Sequence, residues 1–308
     1  MNRIFLLLLA TILFSSEYSC TQGARDDGNK KSDDKKSEGL KPGTPEIKAV
    51  ITLPDDLHEI SGISFVDSAN LVAVQDEEGY IYHYNIATEK ITGKEKFSGP
   101  GDYEDITVAG NIIYVVDSEG KLFEISDFKS DKKSVKEIKT PFSGKNNIEG
   151  LTYDAPNNRL LMALKDDGLN KDKRAKEIYE FNLKTQKMSS EPVYTINLDE
   201  IENYFKGDGL EESSKKFLKA FGNENIDKVF RTSAIAVHPK TREVYVLSSV
   251  NNLIAILSPE GILKKVLLLK GKEYIQPEGL AFTSAGSLFV SNEGRKEKAN
   301  IIQIAYEN

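Results

Sequence analysis

Cysteine occurs once in the 308 residues, as Cys20, and histidine three times, as His58, His83 and His238. A single cysteine allows no intrachain disulfide, so the core alone must hold the fold. Scarce histidine without a set of thiols argues against zinc or copper, which favour imidazole and thiolate ligands. The chain has no Gly-x-Ser-x-Gly elbow, no Walker loop and no His-Glu-x-x-His, which removes three common catalytic signatures. Long apolar runs are missing too: residues 4–14, interrupted by Thr11, are too few to span a bilayer comfortably. Nor is there an excess of positive charge. Lys and Arg number 41 against 48 Asp and Glu, for a net charge of -7, a balance that disfavours nucleic acid and suits cations or a protein partner.

The short apolar run has a use of its own. Arg3 precedes it, and Ser15, Ser16 and Ser19 lead up to Cys20, the layout of a secretory signal over residues 1–19. This resembles the bacterial lipoprotein lipobox, with Glu17 and Tyr18 departing from its usual small residues. The resemblance implies lipidation at Cys20, membrane attachment through that lipid, and a place in the cell envelope on the periplasmic or outer-membrane face. Residues 20–45 are polar and mixed in charge, with Arg25-Asp26-Asp27 and Asp33-Asp34-Lys35-Lys36 among them. They have too little to bury to offset the entropy of ordering, so a disordered tether is expected before a domain over residues 46–308.

That domain repeats a phrase. It reads Ser61-Gly62-Ile63-Ser64, Glu104-Asp105-Ile106-Thr107, Glu149-Gly150-Leu151-Thr152, Ser233-Ala234-Ile235-Ala236 and Glu278-Gly279-Leu280-Ala281, at steps of 43, 45, 84 and 45 residues. Between copies lie short runs rich in Ile, Val, Tyr and Phe, bounded by polar breakers, such as residues 62–66, 71–75, 80–86 and 91–97. Four such strands per unit at a period near 45 predict an all-β, five-bladed β-propeller. The last unit has room for only three strands, and residues 47–53 form an unassigned run before the first. Pairing that N-terminal strand outside residues 300–306 would close the ring. The long step carries about 39 extra residues. Within residues 199–230, Ile201, Tyr204, Phe205, Phe217, Leu218 and Phe221 fall at helical spacing, with Asp199 placed as an N-cap and Gly222 as a stop. A helical insertion is therefore expected, the alternative being a sixth, degenerate blade.

In a propeller the inner strands start at one face, and the loops from second to third strands return to it. Ser61, Glu104, Glu149, Ser233 and Glu278 stand at those starts, with Glu59, Asp102, Asn147, Arg231 and Gln276 two residues earlier, on the same side of an extended chain. The loops add Asp76, Glu77 and Glu78, Asp117 and Glu119, Asp166 and Asp167, and Asn292 and Glu293. Crowded carboxylates repel unless a cation or a basic group sits among them. An oxygen-only donor set suits a hard cation, Ca²⁺ before Mg²⁺, with Glu104, Glu149 and Glu278 as first candidates and Glu59 and Asp102 beside them. Arg231 is the alternative countercharge, and a third reading has each Glu locking its blade to the next.

The phrases, above all Glu59-Ile60-Ser61-Gly62-Ile63, Gly101-Asp102-Tyr103-Glu104-Asp105-Ile106, Asn147-Ile148-Glu149-Gly150-Leu151 and Gln276-Pro277-Glu278-Gly279-Leu280-Ala281-Phe282, resemble the SdiA-regulated (YjiK/CarP-like) family over about residues 48–306. That resemblance implies an exported or membrane-associated β-propeller tied to calcium, without an established enzymatic activity. The Glu-Gly-Leu phrases are also similar, more distantly, to the metal-binding Glu of gluconolactonase-type lactonases. The expected function is an envelope lipoprotein that binds Ca²⁺ at its channel mouth and acts in sensing or scaffolding, with an envelope protein or small ligand as partner there. The alternative is a metal-dependent hydrolase, lactonase or esterase-like, using the same mouth, for which the sequence assigns no catalytic residue.

Overall fold

The middle strands read as continuous apolar runs because both of their faces are covered. In Asn70–Gln75, Leu71 and Ala73 enter one buried cluster while Val72 and Val74 enter the next. Leu161 and Ala163 likewise face one way in Arg159–Leu164, and Leu160, Met162 and Leu164 the other. Alternate side chains of a strand point to opposite faces, so each blade is packed between two neighbours. Outermost strands have one wet side: Lys90–Lys96 alternates between exposed and half-buried residues.

The computed structural model describes residues 40–306, apart from 129, 131–132, 171, 207–214, 216–217, 220–221 and 223–228. β1 (Glu46–Thr52) precedes the first blade, which comprises β2 (Ile60–Phe65), β3 (Asn70–Gln75), β4 (Tyr80–Asn85) and β5 (Lys90–Lys96). The second blade is β6 (Tyr103–Ala109), β7 (Ile112–Asp117), β8 (Leu122–Ser126) and β9 (Ser134–Ile138). In the third, β10 (Ile148–Asp154), β11 (Arg159–Leu164) and β12 (Ala175–Asn182) are followed by β13 (Lys187–Met188) and β14 (Tyr194–Asn197). The fourth is β15 (Thr232–Val237), β16 (Val244–Ser248), β17 (Leu253–Leu257) and β18 (Leu263–Leu268). β19 (Pro277–Phe282), β20 (Leu288–Asn292) and β21 (Asn300–Ala305) complete the chain, and β1 pairs antiparallel outside β21, from Glu46 opposite Ala305 to Thr52 opposite Asn300. Inner strands pack in the cycle β2, β6, β10, β15, β19 and back to β2. The molecule is a five-bladed β-propeller closed by its N-terminal strand, and the sixth blade is excluded.

Three expectations are corrected. The third blade has five strands rather than four, because β13 and β14 both pair with β12. They form one outer strand broken around Pro192, which lacks the N–H a ladder needs. Helix α1 (Leu198–Asn203) does open the insertion, but its N-cap is Asn197, whose side chain accepts from the Asp199 backbone N–H. Gly222 has helical conformation, and the residues after it, 223–228, on which its expected role as a stop depends, lie outside the described residues. Third, the tether expected up to residue 45 is ordered at its end: Gly43 makes a parallel bridge to Leu267, with Gly43 N donating to Val266 O at 2.8 Å and Leu268 N to Gly43 O at 2.8 Å. A Cβ there would lie 2.6 Å from the Tyr306 ring, so this close approach needs glycine.

Ile201, Tyr204 and Phe205 are buried among blades three and four, and the Tyr204 hydroxyl donates to Lys264 O at 3.0 Å. They are core, as their helical spacing suggested, and Leu218 packs against them. Phe217 and Phe221 lie outside the described residues, as do the signal segment and Cys20. No helix among the described residues is long and apolar enough to cross a membrane.

Candidate functional site

Every inner strand carries a β-bulge, and in every blade it falls on the repeated phrase. Tyr103 pairs with Asp117 and Asp105 with Val116, leaving Glu104 without a partner. Ile148 and Gly150 pair with Leu164 and Ala163 around Glu149, and Pro277 and Gly279 with Asn292 and Ser291 around Glu278. Ser233 is bulged in the fourth blade, and Ser61 with Gly62 in the first. A bulge turns one side chain out of the pleat. Here, in four of the five blades, it aims the first residue of the phrase at the mouth of the channel and lays the second against the neighbouring blade, the exception being Ser233 of the fourth.

The mouth is a cavity of about 230 Å³ lined by Glu59, Ser61, Asp76, Asp102, Glu104, Glu149, Lys165, Gln276, Glu278, Glu293 and Arg295. Seven carboxylates thus share it with two cationic side chains. Lys165 Nζ donates to Glu149 Oε1 in a short ion pair. Gln276 Nε2 bridges Glu278 Oε1 and Glu293 Oε2, the latter at 2.5 Å, and Arg295 Nε pairs with Glu293 Oε1 at 3.2 Å.

Burial and repulsion leave the acids strongly shifted. Glu104 is pushed up to about 10, first by burial and then by Glu149 and Asp102. Glu278 rises to about 8 through burial and the charge of Glu149, and Asp76 to about 6 through burial, Glu59 and Glu293. Burial also raises Glu149, against the pull of Lys165. The Lys165 ammonium is held protonated above its ordinary range, since Glu149, Glu278 and Glu104 outweigh the cost of its burial.

All five acidic candidates, Glu59, Asp102, Glu104, Glu149 and Glu278, line this mouth, as do Ser61 and Gln276. Ser233, Arg231 and Asn147 do not. Ser233 Oγ donates to Pro277 O at 3.0 Å in the next blade. Arg231 is engaged by Asp166 at 2.8 Å, and Asn147, at φ 50°, donates to the same Asp166 at 3.4 Å. Inside the mouth the countercharge comes from Lys165, and Arg231, though not in the lining, adds its charge at Glu149. That residue went unread, although register contains the signal: β3, β11 and β20 end on Gln75, Leu164 and Asn292, opposite Ile60, Ile148 and Pro277. One step further stand Asp76, Lys165 and Glu293, a lysine where the other two are acids.

Locking the ring is the work of other side chains. Asp105, 1% exposed, accepts from its own Ile106 N and from Leu151 N of the third blade at 2.6 Å. Thr107 Oγ1 accepts from Tyr153 N, Ser64 Oγ from Val108 N, and Ser291 Oγ donates to Ser61 O. No described residue of the helical insertion lines the mouth. Of the remaining loop acids, Asp117 accepts from Lys121 N and Glu78 pairs with Lys94.

The sequence model of the SdiA-regulated family matches residues 44–295. The chain belongs to the SdiA-regulated family. No curated protein matches it in sequence. In fold, this SdiA-regulated chain is similar to glutaminyl cyclase of Myxococcus xanthus, at 12% identity and a TM-score of 0.53 over 86% of this chain and 98% of that one. It is also similar to an aldose sugar dehydrogenase of Streptomyces coelicolor in its PQQ-bound form, at 12% identity and 0.49 over 87% and 100%. A luciferin-regenerating enzyme matches at 13% identity and 0.48 over 85% and 95%. Likeness at this level extends to the fold alone, so the SdiA-regulated protein inherits no activity from these neighbours.

Proposed function

We propose that this protein is an envelope lipoprotein, anchored through Cys20, whose propeller takes a hard divalent cation at the channel mouth, calcium first, in a sensing or scaffolding role. One observation carries the reading: seven carboxylates converge on one small cavity that supplies only Lys165 and Arg295 against them. Glu104, Glu149 and Glu278 would hold the ion, with Glu59 and Asp102 beside them. Such a donor set fits Ca²⁺ in kind, being all oxygen, and the ion's charge would offset the burial and the repulsion from Glu149 that hold Glu104 and Glu278 protonated. Among the described residues no group of three or more acidic, histidine or cysteine side chains stands in an arrangement that holds a metal, so the acids of the mouth would have to draw together around the ion. The donors suit the ion in kind, and one of them, Glu149, is engaged by the Lys165 ammonium.

Calorimetric titration of the purified protein with CaCl₂ tests this. Binding is expected, and Glu149→Gln is expected to weaken it by about tenfold or more through loss of a buried anionic ligand. No heat from the unchanged protein, or affinity indifferent to the substitution, removes the cation. The anchor is checked separately: Cys20→Ala is expected to move the protein from the membrane fraction to the soluble one. No residue pair in the mouth favours the hydrolase alternative over binding.

A further inference from the structure

Lys165 is built into the mouth rather than lying across it. Its backbone is held on both sides: Lys165 N donates to Asn147 O at 2.9 Å, and Lys165 O accepts from Lys176 Nζ at 2.7 Å. Lys176 is itself 4% exposed, so a second, buried lysine is spent on seating the first. From that fixed base the side chain runs to Glu149, within the field of Glu278 and Glu104. The other cation of the mouth, Arg295, is engaged by Glu293 and by Gln276 Oε1. Lys165 is therefore the cation of the lining that faces the centre of the cluster, on a flexible four-carbon stem whose side chain keeps 21% of its surface exposed. A separate observation marks the cluster as under-compensated with Lys165 in it. The Oδ1 atom of Asp76, on the same wall, is buried with no hydrogen-bond partner among the described residues. A buried carboxylate oxygen in that state is costly unless protonated or met by a cation.

We propose that Lys165 is a tethered internal counter-ion, filling the mouth in the absence of a divalent cation and withdrawing when one binds, so that it sets both affinity and charge selectivity. The inference rests on the cation reading above and adds a competitor to it. The physical reason for selectivity is a charge balance. Exchanging the ammonium on Glu149 for an ion of the same charge gains nothing, whereas a doubly charged ion still gains attraction to the remaining carboxylates. The pinned backbone matters because withdrawal then requires no loop opening, only new side-chain torsions.

The test is calcium calorimetry on the full chain in three forms, unchanged, Lys165→Met and Lys165→Arg. It is accompanied by ¹³C-lysine NMR of the unchanged protein and by thermal melting to establish that each variant folds. Lys165→Met is expected to bind Ca²⁺ about tenfold or more tightly, with K⁺ now competing visibly, and Lys165→Arg to return towards the unchanged affinity. The Lys165 side-chain resonance should move over the same Ca²⁺ range that releases heat. Binding seen only in Lys165→Met overturns the proposal, since a lysine that never withdraws is a permanent partner of Glu149 and not an exchanging counter-ion. Equal or weaker binding by folded Lys165→Met, or a Lys165 resonance that Ca²⁺ leaves in place, overturns it while calcium binding stands. Absence of binding in all three forms overturns the cation reading itself. If Lys165→Met does not fold, the resonance and the Lys165→Arg affinity decide.

Discussion

Two neighbouring acids show how far environment separates residues of one chemistry. Glu104 and Asp105 are adjacent, yet the bulge sends the first into the channel mouth and the second into the seam between blades two and three. Burial raises both. Asp105 serves as a staple: its two oxygens accept from the backbone N–H groups of Ile106 and Leu151. Asp105→Ala leaves both donors buried without partners, at roughly 1–3 kcal/mol each, so urea unfolding is expected to show a loss of about 2–6 kcal/mol. Glu104, Glu149 and Glu278 were legible as site residues because repetition exposed them. Asp105 was not singled out because the phrase has Gly at the same place in three other blades and Ala in the fourth. Lys165 was missed because it breaks the pattern that made its neighbours visible, and only strand register brings it level with Asp76 and Glu293.

At the scale of the element, the inner strand's bulge is what converts a repeated phrase into a site. Its glycines are demanded by contact, since a Cβ on Gly279 would lie 2.5 Å from Ser61 O and 2.1 Å from Ser291 Oγ, across the seam where the ring closes. Gly279→Ala must push blades five and one apart. We expect a loss of about 2 kcal/mol or more in denaturant unfolding, as for other steric insertions into packed seams. Strand periods and turn residues located elements within two residues: the runs at 47–53, 71–75, 91–97 and 300–306 are the strands Glu46–Thr52, Asn70–Gln75, Lys90–Lys96 and Asn300–Ala305. Where local reading erred, a neighbouring polar or imino group was responsible: Asn197 outcompeted Asp199 for the cap because its oxygen reaches the Asp199 N–H, and Pro192 split an outer strand that the pattern treats as one.

For the whole molecule, the acid-lined mouth makes stability depend on pH. Asp76, Glu278 and Glu104 keep their protons in the folded state up to about 6, 8 and 10, whereas the unfolded chain releases them near the ordinary carboxylate range of about 4. The folded protein therefore binds more protons between these limits, and its stability falls as pH rises through them. The contribution is fully present below the unfolded range and lost by about pH 10. Melting temperatures at pH 5, 7 and 9 should decline in that order, and Glu104→Gln, which cannot ionise, should flatten the decline at its alkaline end. A melting temperature that rises from pH 5 to 9, or the same slope in Glu104→Gln, contradicts this account.

Sequence alone determined the propeller, the closing strand and the face on which acids gather, because a propeller is a repeat and repeats are written in spacing, while the choice of five blades over six fell to the closed ring of inner strands. It determined too that no disulfide could assist, since one cysteine has no partner. Only the tertiary structure decided which polar residues meet. Side chains from four of the five blades reach the mouth across sequence separations of more than 200 residues, as from Glu59 to Glu278, and local pattern contains no information on such distances. The bulge chose Glu104 over Asp105, and β11's register chose Lys165 over Arg231. The balance of charge at the mouth, on which the chemistry depends, came from those two choices.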